Sequence, residues 1–201
     1  MVADLLTVAG AARVITVNLH ADQIQGFFDI PVDHLFGERA LLEDVKRSMR
    51  GDEVVVAPDA GGVARARAFA SRLNADLAIL DSRDKDQARR SFIVGDVKGR
   101  RVIILDDMVD TGRTLLRTVE GAAAAGAASI VAYCVHPVLS GGAVERLASS
   151  PLEALTVMDT VPLSRKVLEW GRIRTVSIAP ILAEAIRRVH FEESVSSLFH
   201  G

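Results

Sequence analysis

Two adjacent carboxylates, Asp106 and Asp107, follow a run of apolar residues at positions 102–105. An uninterrupted apolar run of this length predicts a fully buried strand, and ligands of open α/β sheets bind beyond the carboxyl ends of the strands. Paired carboxylates repel phosphate, but they suit sugar hydroxyls, a bridging Mg²⁺ or positive charge that develops at a sugar carbon. We therefore expect this pair to face the sugar or the metal of a ligand.

A short turn at residues 110–114 leads from this strand into an apolar, helix-compatible run. A turn that opens a helix offers free backbone N–H groups and the positive end of the helix dipole, which suit a phosphate. Threonine hydroxyls add donors, and a glycine lets the backbone approach the ligand closely. The alternative is an ordinary strand–turn–helix junction with a capping Asp or Thr. The residues concerned are Asp110, Thr111, Gly112, Arg113 and Thr114.

The chain alternates predicted strands with predicted helices. Helices of this length between strands imply right-handed crossovers and a mainly parallel sheet. The predicted strands are residues 13–17, 53–57, 76–80, 101–105, 129–135, 155–158 and 174–177, and the predicted helices are 40–49, 62–73, 114–125, 142–148 and 180–190.

Composition narrows the class of protein. Apolar residues make up 49% of the 201 positions and the net charge is −2, so there is no electrostatic case for binding nucleic acid or an anionic membrane. Cys134 is the single cysteine, which excludes a disulfide within the chain and favours a buried, reduced thiol. Without an apolar run approaching twenty residues or a signal-like N-terminus, we expect a cytoplasmic protein.

Further segments resemble one family closely. They read NLHADQIQGFFDIPVD at 18–33, APDAGG at 57–62, HPVLSGG at 136–142, DTVPL at 159–163 and LAEAIRR at 182–188. Together with the acid pair and the turn, they resemble ribose-phosphate pyrophosphokinases, also called phosphoribosyl-pyrophosphate synthetases, in collinear order over nearly the whole chain. The resemblance implies an α/β fold of the type I phosphoribosyltransferase kind, with a mainly parallel sheet flanked by helices.

The resemblance also implies a reaction. The family transfers a pyrophosphoryl group from MgATP to the 1-hydroxyl of ribose 5-phosphate, giving AMP and phosphoribosyl pyrophosphate for nucleotide biosynthesis. By analogy, the turn would hold the 5-phosphate and the acid pair would orient the ribose hydroxyls. The implied ribose 5-phosphate site is Asp106, Asp107, Asp110, Thr111, Gly112, Arg113 and Thr114.

By the same resemblance, His20 and Asp59 would bind the Mg²⁺ that accompanies ATP. The alternative for each is a structural role, as a polar residue at a strand end that is hydrogen-bonded to a neighbour. The family usually has Asp where this chain has Asn18, and loss of that charge beside His20 would weaken metal binding.

The basic catalytic loop departs further from the family pattern. Ser82 occupies the position that matches the family's catalytic Lys, and the loop is about two residues shorter. Arg83 and Lys85 are the residues that could replace the cation of this Lys. Asp residues interleaved with them offset their positive charge. The alternative is a solvated loop of mixed charge.

The match begins near the end of the first of the family's two similar domains. We expect residues 1–33 to be a remnant of that domain, residues 34–179 to form the phosphoribosyltransferase-like domain, and residues 180–201 to be a tail. The family's ATP-holding segments have no counterpart, so the ATP site is incomplete. The apolar positions of residues 2–8 and 181–199 would pack on the absent part, which predicts a homo-oligomer or association with a full-length paralogue.

Two other functions stay open from the sequence. One is a catalytically weak regulatory or structural paralogue, which would bind ribose phosphate and assemble with a full-length synthetase. The other is a phosphoribosyltransferase, which would consume phosphoribosyl pyrophosphate instead of making it.

Overall fold

Apolar strands alternate with helices along the chain, as the sequence pattern predicts. The computed structural model describes residues 1–81 and 92–199. The strands there are β1 Val14–Val17, β2 Val32–Leu35, β3 Glu53–Ala57, β4 Asp76–Asp81, β5 Phe92–Val94, β6 Arg101–Val109, β7 Ser129–Pro137, β8 Ala154–Met158 and β9 Ile173–Val176. The α-helices are α1 Val2–Val8, α2 Glu38–Ser48, α3 Val63–Leu73, α4 Arg113–Ala124, α5 Ala143–Ala148, α6 Arg165–Glu169, α7 Ala179–His190 and α8 Ser196–Phe199.

The chain divides into two compact units, of which Ala40–Ser177 is the larger. Its sheet has the strand order β5-β4-β3-β6-β7-β8-β9, and every neighbouring pair is parallel except β4–β5. Strands that are covered by helices on both faces have continuous apolar runs, as residues 54–57 of β3 do. Every position of β3 is buried, including the charged Glu53 at its start. The prediction of a mainly parallel sheet flanked by helices is confirmed.

The core of this unit lies around the central strands. Valines of β3, Ile104 of β6 and Cys134 of β7 are fully buried there, together with Leu115 and Val119 of α4. Leu115 and Val119 form the face of α4 that packs on the sheet, and this packing holds the N-terminus of α4 at the end of β6. The position of the turn before the helix therefore follows from the apolar pattern of the sequence.

The smaller unit consists of Met1–Arg39 and Ile178–Gly201. Strands β1 and β2 pair in parallel there, from Val14 opposite Val32 to Val17 opposite Leu35. Helix α1 exposes apolar side chains, including Leu5 at 63% and Val8 at 86% exposure.

Several elements differ from the sequence prediction. The short strands β2 and β5 and the short helices α1, α6 and α8 were not predicted, because each is too brief to show a periodic pattern. Strand β6 was predicted to end at residue 105, which is wrong. Among the described residues, no helix is both long and apolar enough to cross a bilayer.

Candidate functional site

The acid pair lies within β6 instead of after it. Strand β6 continues to Val109 because β7 also continues, and the ladder runs through Asp106 opposite Cys134 and Val109 opposite Pro137. Strand β3 ends at Ala57, which pairs with Ile79 of β4 on its other side. The acids therefore lie beyond the carboxyl end of β3, at the edge of the sheet where ligands of this fold class bind.

The two carboxylates interact with each other. Asp106 Oδ1 accepts a hydrogen bond from the Asp107 backbone N–H at 2.9 Å. Burial, together with a side-chain hydrogen bond to Asp107 and the negative charge of Asp107, raises the pKa of Asp106 to about 7. The charge of Asp59 adds to this rise, and the backbone hydrogen bond from Asp107 opposes it. Like charges held together in a site of low polarity favour one shared proton over two full charges. The pair can thus accept hydrogen bonds from hydroxyl groups while it carries less than two negative charges near neutral pH.

Cys134 lies beside Asp106 on the neighbouring strand and is fully buried. Burial raises the pKa of its thiol, and the charge of Asp106 raises it further. Its Sγ contacts the carbonyl oxygen of His136 at 3.4 Å. The structure thus agrees with the interpretation of Cys134 as a buried thiol.

The predicted turn at 110–114 connects β6 to α4. Gly112 adopts φ +72°, and a Cβ there would come 3.4 Å from the Cβ of Ala143, so both the backbone conformation and the space favour glycine. Among the described residues, no side chain caps the N-terminus of α4. The backbone N–H groups of its first turn thus form the kind of anion site described for helix N-termini, with Thr111 and Thr114 only partly buried beside it.

A neighbouring segment, residues 139–146, stabilises this turn through hydrogen bonds. Ser140 Oγ donates to Asp110 Oδ1 at 2.5 Å, and the Ser140 N–H donates to the Asp110 carbonyl at 3.0 Å. Arg146 donates from Nε and Nη2 to the Thr111 carbonyl at 3.1 and 2.8 Å, and Nη2 also donates to the Gly141 carbonyl. The Asp110 carboxylate is thus part of the loop's own structure, which leaves the backbone and hydroxyls to bind an anion.

We expect Arg146→Met to lower the free energy of unfolding by about 1–3 kcal/mol, because hydrogen bonds from a charged donor contribute this much. Arg165→Met is the matched control, since the Arg165 side chain is 93% exposed and pairs with Glu169 one helical turn away. Urea unfolding of both variants measures the difference. Equal midpoints for the two variants would contradict a bracing role for Arg146.

The smaller unit positions the residues around His20, which is exposed. His34 is buried, and its Nε2 accepts the Leu19 N–H at 2.9 Å. Burial lowers the pKa of His34, which favours the neutral ring that this acceptor role requires. His34 thus fixes the backbone next to His20, and the sequence analysis did not identify it.

Asn18 adopts a left-handed backbone with φ +43°, which Asn tolerates better than most residues. Its Oδ1 accepts the Gly37 N–H at 2.7 Å, and its Nδ2 donates to Glu38 Oε1 at 2.6 Å. The amide therefore serves the junction with α2, where a carboxylate at position 18 would repel Glu38.

Asp59 follows β3 in the larger unit and is exposed, with Oδ1 accepting the Gly62 N–H at 2.8 Å. Arg65, in the first turn of α3, contacts Asp107, with 3.3 Å between Nη1 and Oδ1. Within residues 1–81 and 92–199, no three His, Cys, Asp or Glu side chains converge closely enough to hold a metal ion alone. Ser82, Arg83 and Lys85 lie outside the described residues.

Comparisons with known proteins indicate one family for this chain. The family model described as the phosphoribosyl synthetase-associated domain matches residues 89–200. The chain belongs to this family. The ribose-phosphate pyrophosphokinase of Bordetella pertussis is 52% identical over 202 residues, covering 99% of this chain and 65% of that protein. The ribose-phosphate pyrophosphokinase of Marinomonas sp. is 49% identical, covering 99% of this chain and 64% of that protein.

A solved structure supports the same assignment. The crystal structure of phosphoribosylpyrophosphate synthetase from Mycobacterium smegmatis superimposes with a TM-score of 0.87 at 39% identity, covering 95% of this chain and 63% of that chain. The predicted family and fold are thus confirmed. The chain spans slightly less than two thirds of the length of these relatives.

Proposed function

We propose that this chain supplies the ribose-phosphate half of a ribose-phosphate diphosphokinase, a transferase that moves pyrophosphate from MgATP to ribose 5-phosphate. The observation that carries the proposal is the uncapped N-terminus of α4 beside the acid pair of β6. This arrangement places hydrogen-bond donors for a phosphate next to carboxylates that can accept hydrogen bonds from sugar hydroxyls. The relatives are named ribose-phosphate pyrophosphokinases, which supports the same reaction.

The phosphate end of ribose 5-phosphate would bind at the turn. Backbone N–H groups at the start of α4 and the hydroxyls of Thr111 and Thr114 are suitable donors, and the helix dipole favours the negative charge. Arg113 is exposed, so it is placed to add a cation at the entrance. Asp106 and Asp107 would accept hydrogen bonds from the ribose hydroxyls and thereby fix the orientation of the 1-hydroxyl.

His20 and Asp59 would hold Mg²⁺ with its nucleotide. Mg²⁺ prefers oxygen ligands and keeps several waters, so one carboxylate and one imidazole suit a metal whose other ligands are waters and phosphates. When bound, the ion neutralises charge on the phosphates. Asp59 fits this role, because its carboxylate is exposed and the Gly62 N–H fixes one of its oxygens.

The remaining contributions are positioning and electrostatics, since phosphoryl transfer needs little covalent chemistry from the protein. Arg83 and Lys85 are the candidates for stabilising the transferring phosphates, and this proposal rests on the sequence alone. The exposed apolar side chains of α1 support association with a second subunit, either another copy or a full-length paralogue.

The test is calorimetric binding of ribose 5-phosphate to the wild type and to Thr111→Val and Asp110→Ala. We expect Thr111→Val to weaken binding about tenfold, because it removes a donor to a charged group. Asp110→Ala should weaken binding less, because it loosens the turn by removing the acceptor of Ser140 Oγ.

Thr175→Val is the control, since Thr175 is exposed on the edge strand β9. Equal affinities in the wild type, Thr111→Val and Asp110→Ala would show that the turn is not part of the ligand site. Absence of binding by the wild type would refute the proposed function itself.

A further inference from the structure

Arg65 reaches the acid pair from a different element. It lies in the first turn of α3, directly after the turn that Asp59 closes by accepting the Gly62 N–H. Its Nη1 lies 3.3 Å from Asp107 Oδ1, and the Arg65 and Asp107 side chains are only 29% and 9% exposed. An ion pair this sheltered from water is screened much less than a surface pair.

The charges around the pair make this contact significant. Asp59 adds negative charge near Asp106, and the Cys134 thiol beside it is held neutral by burial. An anionic sugar phosphate that enters such a site meets repulsion from each ionised carboxylate. Arg65 supplies positive charge at Asp107, where it offsets one of them.

We propose that Arg65 is a positioning residue for the ribose phosphate site: it fixes the Asp107 carboxylate and cancels its charge, so that an anionic ligand can approach the pair. This inference rests on the proposed function. It assigns to α3 a role in the site that the acid pair and the turn do not include. Arg65 thus joins the segment after β3 to the pair on β6.

The test compares Arg65→Gln, Arg65→Lys and Arg67→Gln in the full 201-residue chain. Arg67 is the matched control, because it lies two residues further along α3 and is exposed. By calorimetry, we expect Arg65→Gln to weaken ribose 5-phosphate binding about tenfold or more, the loss of one charge-assisted contact. Arg65→Lys should restore most of the affinity, and Arg67→Gln should bind like the wild type.

A second readout separates positioning from a purely structural role. In a carboxyl-carbon NMR titration, the apparent pKa values of the Asp106–Asp107 pair should rise by about one unit in Arg65→Gln, since an adjacent cation favours the ionised forms. Charged and titratable groups that face the pair, within the part of the chain that the structure describes, include Arg65, Asp59 and Cys134. The titration does not depend on ligand binding and needs only a folded chain.

If Arg65→Gln prevents folding, Arg65→Met and Arg67→Met replace the two glutamine variants in both measurements, because methionine keeps an apolar stem and removes the charged group. The expected results are the same for this pair of variants. The inference is overturned if the wild type binds and Arg65→Gln matches Arg67→Gln, or if the titration of the pair is the same in both. Failure of the wild type to bind would refute the proposed function instead.

Discussion

A polypeptide of these 201 residues should release AMP from MgATP and ribose 5-phosphate at least 10²-fold more slowly than phosphoryl-transfer enzymes, which turn over at about 1–10² s⁻¹. Removing one preorganised electrostatic partner of a transition state typically costs about 10²–10³ in rate. Ser82 stands where the resemblance places a catalytic Lys, so one such partner is absent. The chain also covers only 65% of the length of its Bordetella pertussis relative, so a polypeptide of these residues alone lacks the remaining part of that protein.

The assay compares AMP release with and without ribose 5-phosphate, using the purified chain alone. Arg83→Ala and Lys85→Ala test the two substitute cations, and Lys98→Ala serves as a control for loss of a lysine elsewhere. Turnover in the enzyme range by the unaltered chain would contradict the prediction. If such turnover fell in Arg83→Ala or Lys85→Ala, that residue would supply the cation that Ser82 lacks. Activity that appears only on mixing with a full-length synthetase would favour the alternative in which this chain is a regulatory or structural paralogue.

The fold was largely predictable because its central strands carry an unambiguous signal. Residues 54–57 form a continuous apolar run, and β3 occupies these positions together with Glu53. The end of β6 was not predictable, because carboxylates at 106 and 107 are typical of residues that leave a sheet. The extension depends on β7, whose ladder continues to Pro137 and keeps the acids in the strand.

The site was predictable only where its chemistry is local in sequence. The turn at 110–114 could be identified because its donors, glycine and following helix are consecutive. Arg65, Ser140 and Arg146 contact residues 30 to 42 positions away, so their roles depend on how the elements pack. Asn18 is a related case, since its partners Gly37 and Glu38 could not be inferred from the neighbouring His20.

Asp106→Asn should make the chain more stable at alkaline pH than the wild type. Burial beside Asp107 raises the pKa of Asp106 from 3.8 to about 7 in the folded chain. Between those values the folded state binds more protons than the unfolded state, so the contribution of Asp106 to stability falls as the pH rises. The neutral asparagine mimics the protonated acid and does not titrate, and its amide can still donate to Asp107.

Urea unfolding at pH 5 and pH 8 measures this effect. From pH 5 to the folded pKa near 7, the stability advantage of Asp106→Asn over the wild type should grow by about 2–3 kcal/mol, at 1.36 kcal/mol per pH unit. Asp52→Asn, an exposed control, should leave the pH dependence unchanged. Parallel pH profiles for the wild type and Asp106→Asn would show that Asp106 ionises normally. A variant that is more stable yet binds ribose 5-phosphate more weakly would mean that the chain keeps a destabilising carboxylate because the ligand needs it.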